Sequence, residues 1–424
     1  MNDAGGNRLG TLLGNSFMMG LNAISWLFAV LVLIVFCNRY IFGSIARLLD
    51  RRTEKGFGAD PKIWPRVSII VPVFNEGRHV LATALSFDQL DYPRDRLEIV
   101  FIDDCSTDNT YEYLQMAEAS YKHMRVSRNP RNMGKRLGIK RIVQEVTGEL
   151  VLSVDSDVIV DANALKQLVR HMHSTGADGV GGCVFVSNAD ENWLTRMQAV
   201  KYWVGYQFLK NVENAFDHVM CLSGCLTLYK REALLAVDED VADRRFLGEE
   251  VKYGEDRFLT RKLVERGFRT RLCFEARCFT KAPATMGNYL SQQLRWRRSN
   301  LIDQISALPH HAKFNPFVLV HYLSMGMLLF FYPLFLAAEV FQLGFVIPML
   351  VHGLVTTFFA LAYELNKRKL PEFAQTSGIW FLAMVVVFPV LYITMTPLAL
   401  ATLATTSWET RGHGKKLPAK AVAA

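Results

Sequence analysis

Two carboxylates one residue apart, Asp155 and Asp157, directly follow the apolar run Leu150–Val154. Such a run is typical of a buried strand, so both carboxylates are expected in a loop at the carboxyl edge of a sheet. Hard oxygen ligands beside an open position suit Mg²⁺ or Mn²⁺, which also bind water and phosphate oxygens. The triplet alone is more typical of a solvated acidic turn, but the preceding strand favours a divalent metal site.

Two other apolar runs also end in polar groups. Asn75 and Glu76 follow Val67–Val73, and Asp104 ends the run that begins at Leu97. A carboxylate such as Asp104 can accept a hydrogen bond from a nucleotide base, although helix capping and turn formation explain such residues about as well. Because ligands bind where strands of an open α/β sheet end, three such groups indicate one shared site.

Three later motifs carry charge near predicted helices. Lys135 follows Gly134 at a helix start, where a cation and backbone N–H groups bind anions, or where a basic turn is simply solvated. Glu255 and Asp256 come just before another helix. A carboxylate there can take a proton from an acceptor hydroxyl, or it can merely stabilise the helix dipole. This motif is therefore a candidate for general-base catalysis.

Gln292, Arg295 and Trp296 share one face of a predicted helix because they are spaced by three and four residues. Arginine binds a diphosphate with two parallel hydrogen bonds, and tryptophan stacks on the apolar face of a sugar. An amphipathic helix at a membrane surface has the same composition. The two interpretations are compatible, so this helix is expected to serve the site beside a membrane.

Strand-like and helix-like segments alternate between about residues 60 and 310. This alternation predicts an α/β domain with a mostly parallel sheet and helices on both faces. The predicted strands are Val67–Val73, Leu97–Asp103, Leu150–Val154 and Gly179–Val186, and the predicted helices include Thr110–Tyr121 and Met133–Val146.

Long apolar segments flank this domain. Hydrophobic residues make up 50% and charged residues 21% of the 424-residue chain, a balance that a soluble enzyme rarely has. The expected membrane spans are Phe17–Cys37, Phe317–Leu336, Val340–Ala362 and Gly378–Leu403. We therefore divide the chain into an N-terminal transmembrane helix (1–43), a cytoplasmic catalytic domain with interface helices (44–310), and a C-terminal transmembrane region with a basic tail (311–424).

Basic residues orient these spans. The net charge of +8 is concentrated beside the spans, as after Cys37 and at Lys367–Lys369, which favours contact with anionic lipid over nucleic acid. The positive-inside rule places both segments, and the catalytic domain, in the cytoplasm of a cell that carries the protein in its plasma or inner membrane. The last segment either crosses once or is re-entrant, since Pro389 and Pro397 interrupt it. The seven cysteines are expected to be free thiols.

Taken in order, these motifs resemble glycosyltransferase family 2 enzymes of the processive, membrane-integrated kind. The resemblance covers residues 65–305 and is closest to hyaluronan synthases and rhizobial chito-oligosaccharide synthases, with chitin and cellulose synthases more distant. It rests on Asp-x-Asp, Gly-Glu-Asp-Arg and Gln-x-x-Arg-Trp. Finer matches are Gly134–Arg136, Lys201–Trp203, Cys221–Gly224 with Tyr229–Arg231, and Trp408–Arg411. Glu255 is similar to the chito-oligosaccharide branch, whereas Cys225 stands where relatives usually have proline.

The resemblance implies a GT-A, Rossmann-like catalytic domain inserted between transmembrane helices, and it implies a role for each matching residue. Asp256 would be the catalytic base. The nucleotide and donor would contact Asp104, Lys135, Asp155, Arg295 and Arg411, and the metal would bind Asp157 and Asp155. The acceptor and product would contact Gln292, Trp296, Ser223 and Gly224. Trp408 lies with Arg411 in a tail motif that closes over the nucleotide.

The expected activity is an inverting hexosyl transfer that polymerises a β-linked, GlcNAc-containing polysaccharide, hyaluronan-like or chitin-like, and passes it across the membrane. The expected partners are UDP-GlcNAc, UDP-GlcA if the product is hyaluronan-like, the growing polysaccharide and membrane lipid, with no nucleic acid. The expected cofactor is Mg²⁺ or Mn²⁺. One alternative is non-processive transfer of one sugar to a lipid carrier. A non-enzymatic transporter or scaffold would explain the spans, but not the ordered carboxylates.

Overall fold

The computed structural model describes residues 60–251, 253–313 and 316–403, together with positions 19–45 apart from 21, 24, 25, 28, 31, 32, 35 and 36. The predicted N-terminal span Phe17–Cys37 lies only partly within the described residues. Trp408 and Arg411, predicted to act on the nucleotide, lie outside the described residues.

An eight-stranded mixed sheet forms the centre of the catalytic domain, in the order β3-β2-β1-β4-β7-β6-β10-β5. The pairs β1–β2, β1–β4, β2–β3 and β6–β10 are parallel, and those involving β7 and β5 are antiparallel. The strands are β1 Val67–Val73, β2 Leu97–Asp103, β3 Met124–Arg128, β4 Leu150–Ser153, β5 Val158–Val160, β6 Gly179–Val186, β7 Thr227–Lys230 and β10 Thr270–Thr280; β8 Arg245–Phe246 and β9 Glu249–Glu250 form a separate hairpin.

Helices cover both faces of the sheet because its central strands are apolar on both sides. Ile69 and Val71 belong to one buried cluster and Ile70 to the other, as the alternation of side chains along a strand requires. The helices of the domain are α1 Val80–Asp88, α2 Thr110–Ser120, α3 Lys135–Glu145, α4 Ala164–Thr175, α5 Trp193–Gln207, α6 Asn211–Ala215, α7 Arg231–Ala236, α8 Asp238–Ala242, α9 Glu255–Glu265 and α10 Met286–Ala307.

Three further helices follow α10 and are long and apolar enough to cross a membrane. They are α11 Pro316–Leu343, α12 Val346–Asn366 and α13 Phe381–Ala401. The predicted spans lie within or overlap these helices, and α13 continues through Pro389 and Pro397 instead of dividing into two. Helix α13 packs along α10. Leu391 shares one buried cluster with Tyr289, and Ala399 shares another with Leu301.

The end of the N-terminal segment packs against α11 and the catalytic domain. His321 of α11 lies 2.9 Å from the Asn38 side chain through Nδ1 and 3.4 Å from Glu213 of α6 through Nε2. The rings of Phe42 and Phe317 stack with their centroids 5.0 Å apart. These contacts join segments at opposite ends of the sequence beside the catalytic domain.

Candidate active site

A cleft of about 430 Å³ lies at the carboxyl ends of β1, β2 and β4. The parallel register of these strands brings their ends to one edge, as the sequence predicts. The cleft also reaches α9 and α10. The candidate residues that line it are Asp104, Lys135, Asp155, Asp157, Ser223, Asp256, Gln292, Arg295 and Trp296. The structure therefore brings into one cleft motifs that are separated by almost two hundred residues.

Lys135 connects the two halves of this cleft. It is the first residue of α3, and its Nζ lies 2.6 Å from Asp155 Oδ1, 3.2 Å from Glu255 Oε1 and 3.3 Å from Asp256 Oδ1. Burial disfavours the charge on Lys135, but the three carboxylates outweigh it and hold its pKa well above the ordinary value. Lys135 is thus a fixed cation between the Asp-x-Asp loop and the start of α9.

The two acids at the start of α9 differ in their ionisation. Burial raises the pKa of Asp256, Lys135 lowers it, and Glu255 and Asp155 raise it again, leaving it at about 6. Burial is also the largest effect on Glu255 and opposes its charge, but Lys135 and a backbone hydrogen bond together outweigh it, so the pKa of Glu255 is lowered. Two neighbouring carboxylates whose pKa values are pushed apart are a common feature of acid–base centres. Asp256 can therefore act as a proton acceptor near neutral pH.

Asp155 and Asp157 project from the loop after β4. Asp155 Oδ2 accepts from Cys225 Sγ at 3.5 Å, and Asp157 Oδ2 accepts from Thr280 Oγ1 at 3.2 Å. Within the described ranges no group of three His, Cys, Asp or Glu side chains is arranged to hold a metal ion. A Mg²⁺-type site needs only one or two carboxylates when substrate phosphates complete its coordination. The donor set therefore fits a metal bound together with a diphosphate.

Asp104 is buried and organises the loop that leads to Lys135. Its carboxylate accepts from Asn129 Nδ2, Met133 N and Gly134 N, each at 2.8 Å. The next residue, Cys105, has a φ of 62°, which is uncommon for a side chain other than Asn or Asp. Asp104 lines the cleft predicted to hold the nucleotide, and it also fixes the backbone of the neighbouring loop.

Two glycines allow the site to close tightly. A Cβ on Gly224 would lie 2.4 Å from Lys135 Nζ and 2.5 Å from Asp256 Oδ1. A Cβ on Gly254, whose φ is 70°, would lie 1.9 Å from Ser299 Oγ. Gly224 thus leaves room for the Lys135–Asp256 contact, and Gly254 lets the start of α9 press against α10.

Helix α10 contributes the Gln-x-x-Arg-Trp residues to the opposite wall. Trp296 is 37% exposed and its ring centroid lies 6.2 Å from that of Tyr202. Gln292 is buried, and its Oε1 has no hydrogen-bond partner among the described residues. Farther along α10, buried Asp303 accepts from Arg261 Nε at 3.0 Å and Arg244 Nη2 at 3.3 Å. This buried network fixes α10 against α9.

Several lining residues were not predicted as site residues. They are Glu76, Tyr202, Tyr206, Lys210, Cys225, Glu255, Arg257, Thr280, Ser299 and Asn300. Glu76 and Glu255 belong to motifs that the sequence already showed, and Tyr202 and Tyr206 are spaced by four residues on α5. Nothing in the local sequence distinguishes Thr280, because only the pairing of β10 with β5 brings it to Asp157.

Comparisons with known proteins identify the family. Residues 68–237 match the family model described as Glycosyl transferase family 2. An N-acetylglucosaminyltransferase of Rhizobium leguminosarum bv. viciae is 31% identical over 385 residues, which is 89% of this chain and 88% of that protein. One from Rhizobium meliloti (strain 1021) is 32% identical over 282 residues, or 64% of each chain, so the alignment covers slightly less than two thirds of that relative.

A solved structure has the same fold. The mannosyltransferase PcManGT from Pyrobaculum calidifontis, in complex with GDP-Man and Mn²⁺, superimposes with a TM-score of 0.58 over 91% of this chain and 98% of that chain. The two sequences are 19% identical, so the likeness concerns the GT-A fold. Fold, family model and rhizobial relatives agree that this chain belongs to glycosyltransferase family 2 and is a hexosyltransferase.

Proposed function

We propose that the protein is an inverting, processive transferase that builds a β-linked, GlcNAc-containing glycan from UDP-GlcNAc at the cytoplasmic face of a membrane. The observation that carries this proposal is that the Asp256 carboxylate shares Lys135 with Asp155 and opens into the same cleft as Trp296. A base, donor-side carboxylates and an aromatic platform for a sugar are the parts that a displacement at an anomeric carbon requires. The rhizobial N-acetylglucosaminyltransferases support the choice of sugar.

On the donor side, Asp104 and Lys135 would contact the nucleotide and Arg295 would bind the diphosphate, since all three line the cleft. Asp155 and Asp157 would hold Mg²⁺ or Mn²⁺. When bound, such an ion stabilises negative charge on the leaving diphosphate. The Mn²⁺ in the mannosyltransferase of the same fold supports a metal requirement.

On the acceptor side, Asp256 removes the proton from the acceptor hydroxyl as its oxygen bonds to the anomeric carbon. The bond from that carbon to the diphosphate oxygen breaks on the opposite face, and UDP leaves with the electron pair. Arg295 stabilises the charge that develops on the departing diphosphate. Displacement from one face only converts an α-linked donor into a β-linkage. Gln292, Ser223 and Trp296 contact the acceptor sugar, and Gly224 leaves room for it beside the base.

The position of the cleft favours a product that leaves toward the membrane. Helix α10 carries Trp296 into the cleft and packs against α13 along its length. We propose that the apolar helices sit in the plasma or inner membrane and that the growing chain passes along them. UDP-GlcA would be a second donor if the glycan is hyaluronan-like.

A donor panel tests this proposal. The full chain, purified in detergent with Mg²⁺ or Mn²⁺, is expected to release UDP from UDP-GlcNAc and to extend GlcNAc oligomers. A strict requirement for both UDP-GlcNAc and UDP-GlcA would indicate a hyaluronan-like product. A single-sugar lipid product on a gel would refute processive synthesis in favour of transfer to a carrier, and no turnover of any donor would refute the enzyme assignment to UDP-sugars.

The variant Asp256→Asn tests the base. We expect it to lower kcat by about a hundredfold or more, because it loses the proton acceptor while keeping the shape of the side chain. Asp95→Asn is the matched control, since the Asp95 side chain is 79% exposed and does not line the cleft. Equal polymer output from Asp256→Asn and Asp95→Asn would leave the mechanism without its base.

A further inference from the structure

Arg257 is a cation in the cleft with no assigned task. It follows Asp256 on α9, is half-buried and lines the cleft. Among the described residues it forms no hydrogen bond or ion pair, whereas Arg261, one turn later, binds Asp303 and Glu265. A guanidinium carries five N–H donors, and partial burial without acceptors is unfavourable. Arg257 is therefore expected to meet oxygen atoms of a ligand.

The surroundings of Arg257 place it at the end of the cleft that faces the membrane helices. The ionisable groups that act on its charge are Cys221 and Tyr322, followed by Asp303 and Glu213. Tyr322 belongs to α11, the first helix after α10. The carboxylates that surround Lys135 are absent from this set. Arg257 thus lies near Tyr322 of α11 and lines the cleft together with Cys221, whereas the proposed diphosphate lies at the Asp-x-Asp loop.

The two acids near Arg257 already have other partners. Glu213 accepts from Met220 N at 3.1 Å and pairs with His321 at 3.4 Å. Asp303 accepts from Arg244 and Arg261 in the buried network. Neither carboxylate contacts the Arg257 guanidinium. Its acceptors must therefore come from solvent or from the molecule that occupies the cleft.

We propose that Arg257 binds an sp² oxygen carried by the acceptor glycan, either the acetamido carbonyl of an N-acetylated sugar or the carboxylate of a uronic acid. A planar fork of N–H donors matches such oxygens better than it matches single hydroxyls. Arg257 then selects the acceptor, because a sugar with a free, protonated amine at this position is repelled. The inference rests on the proposed acceptor end of the cleft.

The experiment compares three acceptors: a GlcNAc trisaccharide, its de-N-acetylated counterpart and a trisaccharide containing glucuronic acid. Arg257→Gln is expected to lower kcat/KM for the preferred acceptor by about tenfold to a hundredfold, the usual effect of losing a hydrogen bond to a charged group. The de-N-acetylated trisaccharide is expected to react no worse than before, and KM for the UDP-sugar to stay constant. Loss of rate with the GlcNAc trisaccharide indicates the acetamido carbonyl, and loss with the glucuronic acid trisaccharide indicates the carboxylate.

Arg266→Gln is the matched control, because Arg266 is an exposed arginine at the end of the same helix and pairs only with Asp240 among the described residues. It is expected to change nothing. An equal loss for all three acceptors, or a raised KM for the UDP-sugar, would overturn the proposal.

Binding measured without turnover separates this inference from the proposed function. The same trisaccharides can be titrated while intrinsic tryptophan fluorescence is recorded, since Trp296, one of seven tryptophans, is partly exposed in the cleft. A wild-type preference for the N-acetylated or uronic trisaccharide that vanishes in Arg257→Gln supports the subsite even if no donor turns over. Equal affinities in wild type and variant contradict it even if the enzyme is active.

Discussion

The ionisation of Asp256 links the structure to a measurable pH dependence. Its pKa of about 6 results from burial and from the nearby Glu255 and Asp155, against the opposing effect of Lys135. A general base must be deprotonated, and kcat/KM reports the free enzyme. We therefore expect kcat/KM to fall as the pH drops through about 6.

Glu255→Gln removes one of the charges that raise the pKa of Asp256 and should move this acidic limb to lower pH. Asp95→Asn, which alters a distant exposed carboxylate, should leave the limb where it is. An acidic limb that stays in place in Glu255→Gln would show that another group limits the rate.

The same pKa has a consequence for stability with a defined sign. The folded protein binds a proton at Asp256 up to about pH 6, whereas a free aspartate loses it near 3.8. Stability contributed by this group is therefore present at low pH and is lost as the pH rises through about 6. Asp256→Asn should consequently unfold at a slightly higher temperature than wild type at neutral pH, although its kcat is expected to be lower.

At the scale of elements, the strands were the most predictable part of the chain. β1, β2 and β6 begin and end at the predicted residues, because each is an apolar run buried on both sides and bounded by polar groups. The antiparallel strands β5 and β7 were not predicted, since they are short and their pairing is non-local.

The site was predictable as a set of strand-end and helix-start motifs, but not as a set of contacts. The ion pair between Lys135 and Asp256 joins residues 121 positions apart, and neither local sequence indicates the other. Local sequence is also insufficient for Arg257. Its motif is recognisable, but its proposed role in binding the acceptor follows only from its lack of partners among the described residues. Side-chain packing decides these features, and a single sequence does not encode them in a local pattern.

The junction between α9 and α10 gives a prediction at this scale. Gly254→Ala places a Cβ against Ser299 and should push α9, with Asp256, away from α10. Gly267→Ala is the matched control, because its φ is also positive, at 87°, but nothing lies within 4 Å of the added Cβ. Both variants should lose about 1–2 kcal/mol of unfolding free energy from backbone strain.

Only Gly254→Ala should also lower kcat, by about a hundredfold, since small displacements of a catalytic group have such effects. Thermal unfolding and kcat are measured on the same preparations. Ser299→Gly, combined with Gly254→Ala, should recover part of the rate. Equal kcat in the two alanine variants would mean that the α9–α10 contact does not position the base.

At the scale of the whole molecule, the helices after α10 suggest an arrangement in the membrane. The Trp380 ring, at the start of α13, lies 5.5 Å from the guanidinium of Arg196 on α5. At its other end, Arg298 donates to Thr402 Oγ1 at 2.8 Å and Tyr253 donates to the Leu403 carbonyl at 3.3 Å. Both ends of α13 therefore contact the catalytic domain.

Helices α11 and α12 differ from α13 in this respect. The start of α11 is held at Glu213 through His321, and Arg277 of β10 donates to the Lys369 carbonyl just after α12, at 2.7 Å. Phe345 lies in the turn between the two helices and is 65% exposed. We infer that α11 and α12 cross the membrane as a hairpin, while α13 runs along the interface helix α10 with both of its ends on the cytoplasmic side.

Labelling of engineered cysteines with a membrane-impermeant maleimide in intact cells tests this arrangement. Phe345→Cys lies at the tip of the hairpin and is expected to react from outside. Ala424→Cys, at the end of the basic tail, is expected to react only after the membrane is permeabilised, because α13 ends at the catalytic domain. Wild type, with its seven cysteines, measures the background. Reaction of Ala424→Cys in intact cells would mean that α13 crosses the membrane and that the tail cannot reach the cleft.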